Sequence, residues 1–155
     1  MRTIKFRGKC IAIEFKDKIV YGSLITFPDG TARIFEHDHD KVFNYYSVDP
    51  DTICQFTGFY DKNDKEIYEG DVLRSDTYPF SDIEVNERDN YFGIIGWNDE
   101  TAMFYIMTIK NPKSSISGSL DGDRNFLMPV YLQEYEVVGS IHDKEWQERL
   151  NLKFE

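Results

Sequence analysis

The chain of 155 residues carries 18 basic and 28 acidic side chains, so its net charge at neutral pH is −10. Its apolar fraction of 41% is too high for a disordered chain, and it has no run of about 18 uncharged apolar residues that could cross a membrane. The acidic balance repels phosphates over most of the surface and argues against nonspecific DNA binding as the main role.

Short segments of alternating apolar and polar residues, rich in β-branched and aromatic side chains, recur along the chain. They predict a mainly β protein with strands at 3–7, 10–15, 18–26, 31–36, 42–46, 53–56, 72–74, 92–97, 102–109, 127–131 and 135–141. Asp29-Gly30 predicts a tight hairpin turn between the third and fourth of these strands, because glycine adopts positive φ at no steric cost.

The all-polar segment 61–65 predicts a second turn, between a strand that ends near Gly58 and one that begins near Glu66. We expect Asp64 to adopt a left-handed conformation there at some cost, and the charges of the turn to serve solvation alone. Two polar segments without periodicity, 75–90 and 111–125, predict long loops.

One short C-terminal helix is predicted, with Asp143 as its cap and with Trp146 and Leu150 forming an apolar stripe that packs on the sheet. Glycines inside three predicted strands indicate bends or bulges, at Gly93, Gly96 and Gly139.

The stretch Gln55 to Leu73 joins two apolar strands across the charged turn at fixed spacing. Together with Ile4–Lys9, Val20–Ile25 and Val48–Thr52 it resembles the YopX family of phage and prophage proteins. The resemblance implies a single YopX-like unit over residues 1–155 and brings no established activity with it.

The segment 69–73 resembles the start of the first strand in SH3-like domains, where glycine permits a close approach and the Asp71 side chain bonds backbone groups. We therefore expect an N-terminal β lobe over residues 1–58. An SH3-like small β-barrel lobe with the C-terminal helix follows over residues 66–155.

No catalytic set is recognised, because phosphate-binding glycine loops, nucleophile elbows and His-Glu-x-x-His are absent from the sequence. Calcium loops that begin at Asp61 or Asp121 lack the required glycine and glutamate. His37 and His39 lie at alternate positions and could share a divalent ion on one strand face, but they lack a third ligand at recognised spacing. We predict no catalytic residue, no cofactor and no metal site, and a solvated strand end is the alternative explanation for the two histidines.

Only Cys10 and Cys54 are present, without Cys-x-x-Cys spacing, which predicts two reduced and buried thiols. Residues 1–18 are interrupted by charges and do not form a secretion signal, so we expect a cytoplasmic protein.

The candidate interaction residues are of two kinds. Lys5, Arg7 and Lys9 alternate along the first predicted strand, and their alternative explanation is a solvated face that protects a sheet edge from aggregation. Tyr60 and Tyr68 flank the charged turn and are the aromatic residues that we expect to be exposed, whereas most other aromatic residues should fill the core.

These patterns favour a non-enzymatic phage or prophage accessory protein of the bacterial cytoplasm that binds a protein partner or assembles with itself. The alternative is a nucleic-acid-associated module that uses the three basic residues and nearby aromatic rings. In a variant of that alternative, the acidic residues of segment 75–90 imitate DNA and occupy a host nucleic-acid enzyme. A metal-dependent hydrolase using His37 or His39 is the least supported function.

Overall fold

The structure, a computed structural model, describes five ranges of the chain: residues 3–37, 43–75, 91–110, 124–126 and 134–149. They form eleven β-strands, two short 3₁₀ helices and one short α-helix, which confirms the predicted mainly β fold with a C-terminal helix. No helix in these ranges is long and apolar enough to cross a membrane. The chain divides into two compact units, Met1–Gly58 and Phe59–Glu155.

The first unit is built on an antiparallel sheet. Its strands are β1 (Phe6–Lys9), β2 (Ile19–Thr26), β3 (Ala32–His37), β4 (Phe43–Val48) and β5 (Cys54–Tyr60), and its 3₁₀ helices are Ile13–Phe15 and Pro50–Thr52. The order across the sheet is β4-β3-β2-β1-β5, and β5 ends inside the second unit. Since β1 lies between β2 and β5, its basic residues do not protect a sheet edge, and that explanation of Lys5, Arg7 and Lys9 is wrong.

A bridge between the ends of β1 and β4 closes the strands β1 to β4 on themselves. Cys10 pairs with Val48, and the neighbouring Ile11 N–H donates to the Ser47 carbonyl at 3.0 Å. Because successive strand residues point to opposite faces, closure turns every second side chain inward. The fully buried inward residues are small or medium-sized and form a core: Cys10, Val20, Ala32, Ile34 and Val48. Phe6 and Tyr46 pack against this core while partly buried.

Side chains that bind nearby backbone groups define the connections of this unit. The Asp29 carboxylate accepts hydrogen bonds from the Thr31 N–H and hydroxyl at 3.0 and 2.7 Å, and Gly30 has a φ of +84°, so the predicted hairpin turn is confirmed. Before β5, Asp49 accepts from the Asp51 N–H at 3.1 Å and begins the second 3₁₀ helix. These Asx turns satisfy backbone donors that the strands leave unpaired.

The second unit contains another antiparallel sheet. Its elements are β6 (Glu66–Tyr68), β7 (Asp71–Ser75), β8 (Tyr91–Asn98), β9 (Met103–Lys110), β10 (Arg124–Phe126), β11 (Glu136–Ser140) and the helix α1 (Lys144–Arg149). The sheet has the order β10-β9-β8-β7-β11. The strand β6 is not part of it and lies next to β5 in the strand order of the other sheet. Among the described strands of each unit, therefore, four consecutive antiparallel strands are followed by one that pairs with the first of the four.

The sheet of the second unit packs apolar side chains on both faces. One cluster contains Ile67, Leu73, Ile95, Phe104, Ile106 and Tyr135, and the other contains Val72, Ile94, Met107 and Trp146. The predicted packing of Trp146 on the sheet is confirmed, since its ring lies 5.4 Å from that of Phe92. A β-carbon at Gly139 would lie 2.0 Å from the indole nitrogen, so glycine makes room for this contact.

Some expectations for the strands need correction. The predicted strand at 10–15 is wrong beyond Cys10, because residues 13–15 form a 3₁₀ helix, and residues 124–126 form a strand where a loop was predicted. The pairing register of β11 with β7 shifts between Val137 and Gly139, as the bulge predicted there requires. The pairing register of β8 with its two neighbours is continuous through Gly93 and Gly96, so no bulge occurs at those glycines. Large side chains account for those two glycines, because Ile106 and Tyr105 occupy the space of a β-carbon.

The charged turn between β5 and β6 has a structural role that the sequence did not indicate. Asp64 has the expected positive φ, of 60°. Asp61, however, is buried, and its carboxylate accepts hydrogen bonds from the Asn63, Lys65 and Val137 N–H groups at 2.7, 2.9 and 2.8 Å. The expectation that the charges of this turn serve solvation alone is therefore wrong, because Asp61 joins the turn to β11.

We expect Asp61→Asn to lower the free energy of unfolding of the second unit by about 3 kcal/mol, because an amide replaces a charged acceptor of backbone hydrogen bonds. Both tryptophans, Trp97 and Trp146, belong to this unit, so their fluorescence during urea unfolding reports on it. Asp64→Asn makes the same chemical change at an exposed position of the same turn and should be nearly neutral. Equal losses for the two variants would contradict the role of Asp61.

An ion-pair cluster also joins β11 to its neighbours. Glu136 forms ion pairs with Arg74 and with Lys62, whose Nζ lies 3.5 Å from the carboxylate. Burial alone would raise the pKa of Glu136, but the attraction and hydrogen bonds of Arg74 and Lys62 outweigh it and hold the pKa below its ordinary value of 4.5. The charged form of Glu136 is thus favoured in the folded state.

A carboxylate with a lowered folded-state pKa stabilises the protein above its unfolded-state pKa, and this contribution is lost as the pH falls through the folded-state pKa. We expect Glu136→Gln to reduce stability near pH 7 by about 0.5–1 kcal/mol, because the pair is partly exposed, and to weaken the loss of stability below pH 4.5. Tryptophan-monitored unfolding from pH 3 to 7 measures both effects. The exposed Glu100→Gln should follow the wild-type profile, and an unchanged acid slope in Glu136→Gln would refute the assignment.

Candidate binding surfaces of the first unit

The connection between β1 and β2 exposes apolar side chains that a folded chain usually buries. We call residues 11–17 the apolar loop; Ile13 is 95% exposed, and Ile11 and Phe15 are exposed on either side of it. The Phe15 N–H donates to the Ala12 carbonyl at 2.9 Å, which forms the 3₁₀ turn that carries these residues. An exposed apolar group of this kind marks a contact surface more often than an isolated surface residue does.

The end of the apolar loop is held by aromatic contacts. The Phe15 ring meets the Tyr46 ring edge-on with centroids 5.6 Å apart, and the Lys18 ammonium lies 4.6 Å from the Tyr46 centroid. The Asp17 N–H donates to the Cys10 carbonyl at 3.0 Å, which ties the loop back to the end of β1. The loop is therefore anchored at both ends, while Ile13 projects between the anchors.

A second surface lies on the outward side of β1 to β4. The register pairs Arg7 with Tyr21 directly, and it places Phe35 between Ser23 and Tyr45. Directly paired residues of antiparallel strands share a face. We call this surface the basic aromatic face and define it by the residues Lys5, Arg7, Lys9, Tyr21, Ile25, Arg33, Phe35 and Tyr45.

Cations and rings alternate on the basic aromatic face. The Arg33 guanidinium carbon lies 5.1 Å from the Tyr45 centroid and 5.1 Å from that of Phe27, and the Lys5 ammonium lies 5.7 Å from the Tyr21 centroid. These distances are within the range of cation–π attraction, which orients the guanidinium before any ligand arrives. Tyr45 itself is 56% exposed.

The charge of this face is opposite to that of the chain as a whole. Among the outward strand positions of β1 to β4 whose side chains the structure describes, none is acidic. The turn between β2 and β3 carries one acid, Asp29, and Glu36 lies near the end of β3. Hydrogen bonds from Thr31 lower the pKa of Asp29, and Arg33 adds a smaller attraction.

A cleft of about 480 Å³ opens at one end of the basic aromatic face. Lys5, Tyr21 and Ser23 line it from the face, and Glu36 and Asn44, which pair directly, line it from the ends of β3 and β4. Gly22 also lines it, at the point where β2 stops pairing with β1 and begins to pair with β3. A β-carbon at Gly22 would lie 1.9 Å from the Phe35 carbonyl oxygen, so only glycine allows β3 to approach here.

The predicted interaction residues differ in their exposure. Lys5, Arg7 and Lys9 lie together on the basic aromatic face and are half-buried. Tyr60 belongs to the second unit and is 50% exposed, as expected. The expectation for Tyr68 is wrong, because it is 1% exposed and its hydroxyl donates to Glu66 at 2.7 Å.

Several residues of these surfaces are not predicted by the sequence pattern. The sequence pattern predicts a strand at Ile13, and it does not indicate Arg33 or Tyr21 as site residues. The alternation of Val20-Tyr21-Gly22-Ser23 indicates that Tyr21 faces outward, but the partners that β2 brings beside it depend on long-range register.

The histidine candidates do not form a described metal site. His37 ends β3 with its backbone paired to Phe43, and His39 lies outside the described residues, as do segments 76–90 and 111–123 and the second predicted stripe residue, Leu150. In the described part of the chain, no group of three or more His, Cys, Asp or Glu side chains is arranged to hold a metal ion.

The fold and its surfaces define a two-unit antiparallel β protein with a basic aromatic face on an acidic chain. The family model described as YopX protein matches residues 5–145, which is most of the chain, and the protein belongs to the YopX family. No curated protein matches the sequence.

We expect Gly22→Ala to destabilise the first unit by about 3 kcal/mol or more, since the added β-carbon overlaps the Phe35 carbonyl group. Both cysteines belong to this unit and are buried, so their reaction with a thiol reagent during urea unfolding reports on it. Gly30→Ala is the control: φ is also positive there, but no atom lies within 4 Å of the added carbon, and the cost should be about 1–2 kcal/mol. Equal midpoints for the two variants would contradict the close approach of β3.

Proposed function

We propose that this protein is a non-enzymatic phage or prophage accessory protein of the host cytoplasm, and that its first unit binds a protein partner, or a second copy of the chain, through the apolar loop. The observation that carries the proposal is the exposure of Ile13, with Ile11 and Phe15 exposed beside it. The non-enzymatic character rests on the sequence, which contains no recognised catalytic motif.

The energetics favour the apolar loop as an anchor. Complete burial of one isoleucine or phenylalanine side chain contributes about 1.5–3 kcal/mol, and a few such anchors provide most of the affinity of an interface. The backbone bonds and ring contacts at both ends of the loop hold it in place before binding. The entropic cost of ordering the loop in a complex is correspondingly reduced.

The proposal includes an SH3-like small barrel for the second unit. The return of β11 to pair with β7, after the consecutive strands β7 to β10, supports this assignment. The bulge between Val137 and Gly139 supports it too, because bulges increase the local twist that a small closed sheet needs. In this account the second unit is a scaffold, because apolar clusters cover both faces of its sheet.

We expect a photo-crosslinking amino acid in place of Ile13 to form protein adducts, either with itself in the purified protein or with a partner in host lysate. The same amino acid in place of Met103, an exposed apolar residue of the second unit, is the matched control. The Ile13→Asp variant should weaken the affinity for the captured partner at least tenfold, because a charged group cannot replace a buried anchor.

Circular dichroism and thermal melting establish that each variant folds. Adducts that form equally at positions 13 and 103, or the absence of adducts at position 13 under both conditions, would refute the proposal. So would an Ile13→Asp variant that keeps the wild-type affinity for the captured partner.

A further inference from the structure

We propose that the basic aromatic face and its cleft form a second binding site, for a segment of single-stranded nucleic acid with one base held in the cleft. This inference goes beyond the proposed function, which depends on the apolar loop. It is carried by the charge of the face, by its exposed rings and by the chemistry of the cleft.

The charge of the face selects a short anionic ligand. Lys5, Arg7, Lys9 and Arg33 contribute positive charge, and no described outward strand position of β1 to β4 is acidic, although the chain as a whole has a net charge of −10. At physiological salt, charges act over about 8 Å, so the local face governs the attraction. A stiff duplex would extend past the face along acidic surface, whereas a flexible single strand can follow the curved strands.

The rings favour nucleic acid over an acidic peptide. Tyr45 and Tyr21 are exposed on the face, and bases of any sequence can stack on such rings. Arg33 lies between the rings of Phe27 and Tyr45, at 5.1 Å from each, so its guanidinium is already oriented for a phosphate. An acidic peptide would use the cations but would gain nothing from stacking.

The cleft has the size and the polar groups that a nucleobase requires. Its volume of about 480 Å³ lies within the range of small-molecule sites. Glu36 offers acceptors, and Asn44 offers both donors and acceptors, and both line the cleft together with Lys5. A base in the cleft could therefore bond its edge to Glu36 and Asn44 while its phosphate meets Lys5.

Fluorescence anisotropy with a labelled thymidine oligonucleotide of about 12 nucleotides tests the site. We expect the oligonucleotide to bind. The logarithm of its association constant should fall linearly with the logarithm of the salt concentration, with a slope of about −2 for three phosphate contacts. Arg33→Ala and Tyr45→Ala should each weaken binding about tenfold, and Asn44→Ala should change the preference between thymidine and adenosine oligonucleotides. Arg33→Lys keeps the charge but loses the planar group, and it should lie between wild type and Arg33→Ala.

The second unit offers matched controls. Arg149 also lies over a ring, at 5.0 Å from Trp146, and Tyr60 is nearly as exposed as Tyr45, so Arg149→Ala and Tyr60→Ala should bind as wild type does. Ile13→Asp should bind the oligonucleotide normally, which separates this site from the apolar loop. Absence of binding, or equal losses in the controls, would overturn the proposal. Tighter binding of a glutamate-rich peptide of equal charge, or of a duplex of equal length, would overturn it as well.

Discussion

The pairing of Cys10 with Val48 closes the strands β1 to β4 and gives their alternating side chains an inward and an outward side. A barrel of so few strands encloses little space, because barrel diameter grows with strand number. Its interior accepts small and medium-sized residues, and a β-carbon at Gly8 would already lie 3.3 Å from Ile34 and Val48. Phe6 and Tyr46 are only partly buried against this core, and the cations Arg7, Lys9 and Arg33 lie at outward strand positions. The residues of the basic aromatic face occupy the outward strand positions that alternate with the inward ones.

The two units share a strand order but use their sheets differently. In each, the fifth strand returns to pair with the first. The sheet of the second unit is packed on both faces, and buried carboxylates such as Asp61 bind its turns to its strands. In the first unit, Tyr21, Ile25 and Tyr45 on the outward side of β2 and β4 are exposed. Buried apolar clusters thus cover both faces of one sheet, whereas the other sheet presents exposed rings on its outward side.

Sequence reasoning succeeded where the deciding interactions are local. The hairpin turn at Asp29-Gly30, the polar turn after β5 and the packing of Trp146 all follow from preferences within a few residues. It failed where burial depends on distant partners. Tyr60 and Tyr68 flank the same turn and have similar neighbours, yet one is exposed and the other buried, because strand pairing and not composition decides which side is covered.

The sequence by itself determined the family, the mainly β class, most of the strands and the common side of Lys5, Arg7 and Lys9, because alternation along one strand is a local property. Only the tertiary structure decided that β1 is a central strand, that Asp61 is buried, and that Arg33 and Tyr45 lie on the same face as Tyr21. Those outcomes depend on register between strands that are far apart in the chain, which pairing and closure establish and local preference does not.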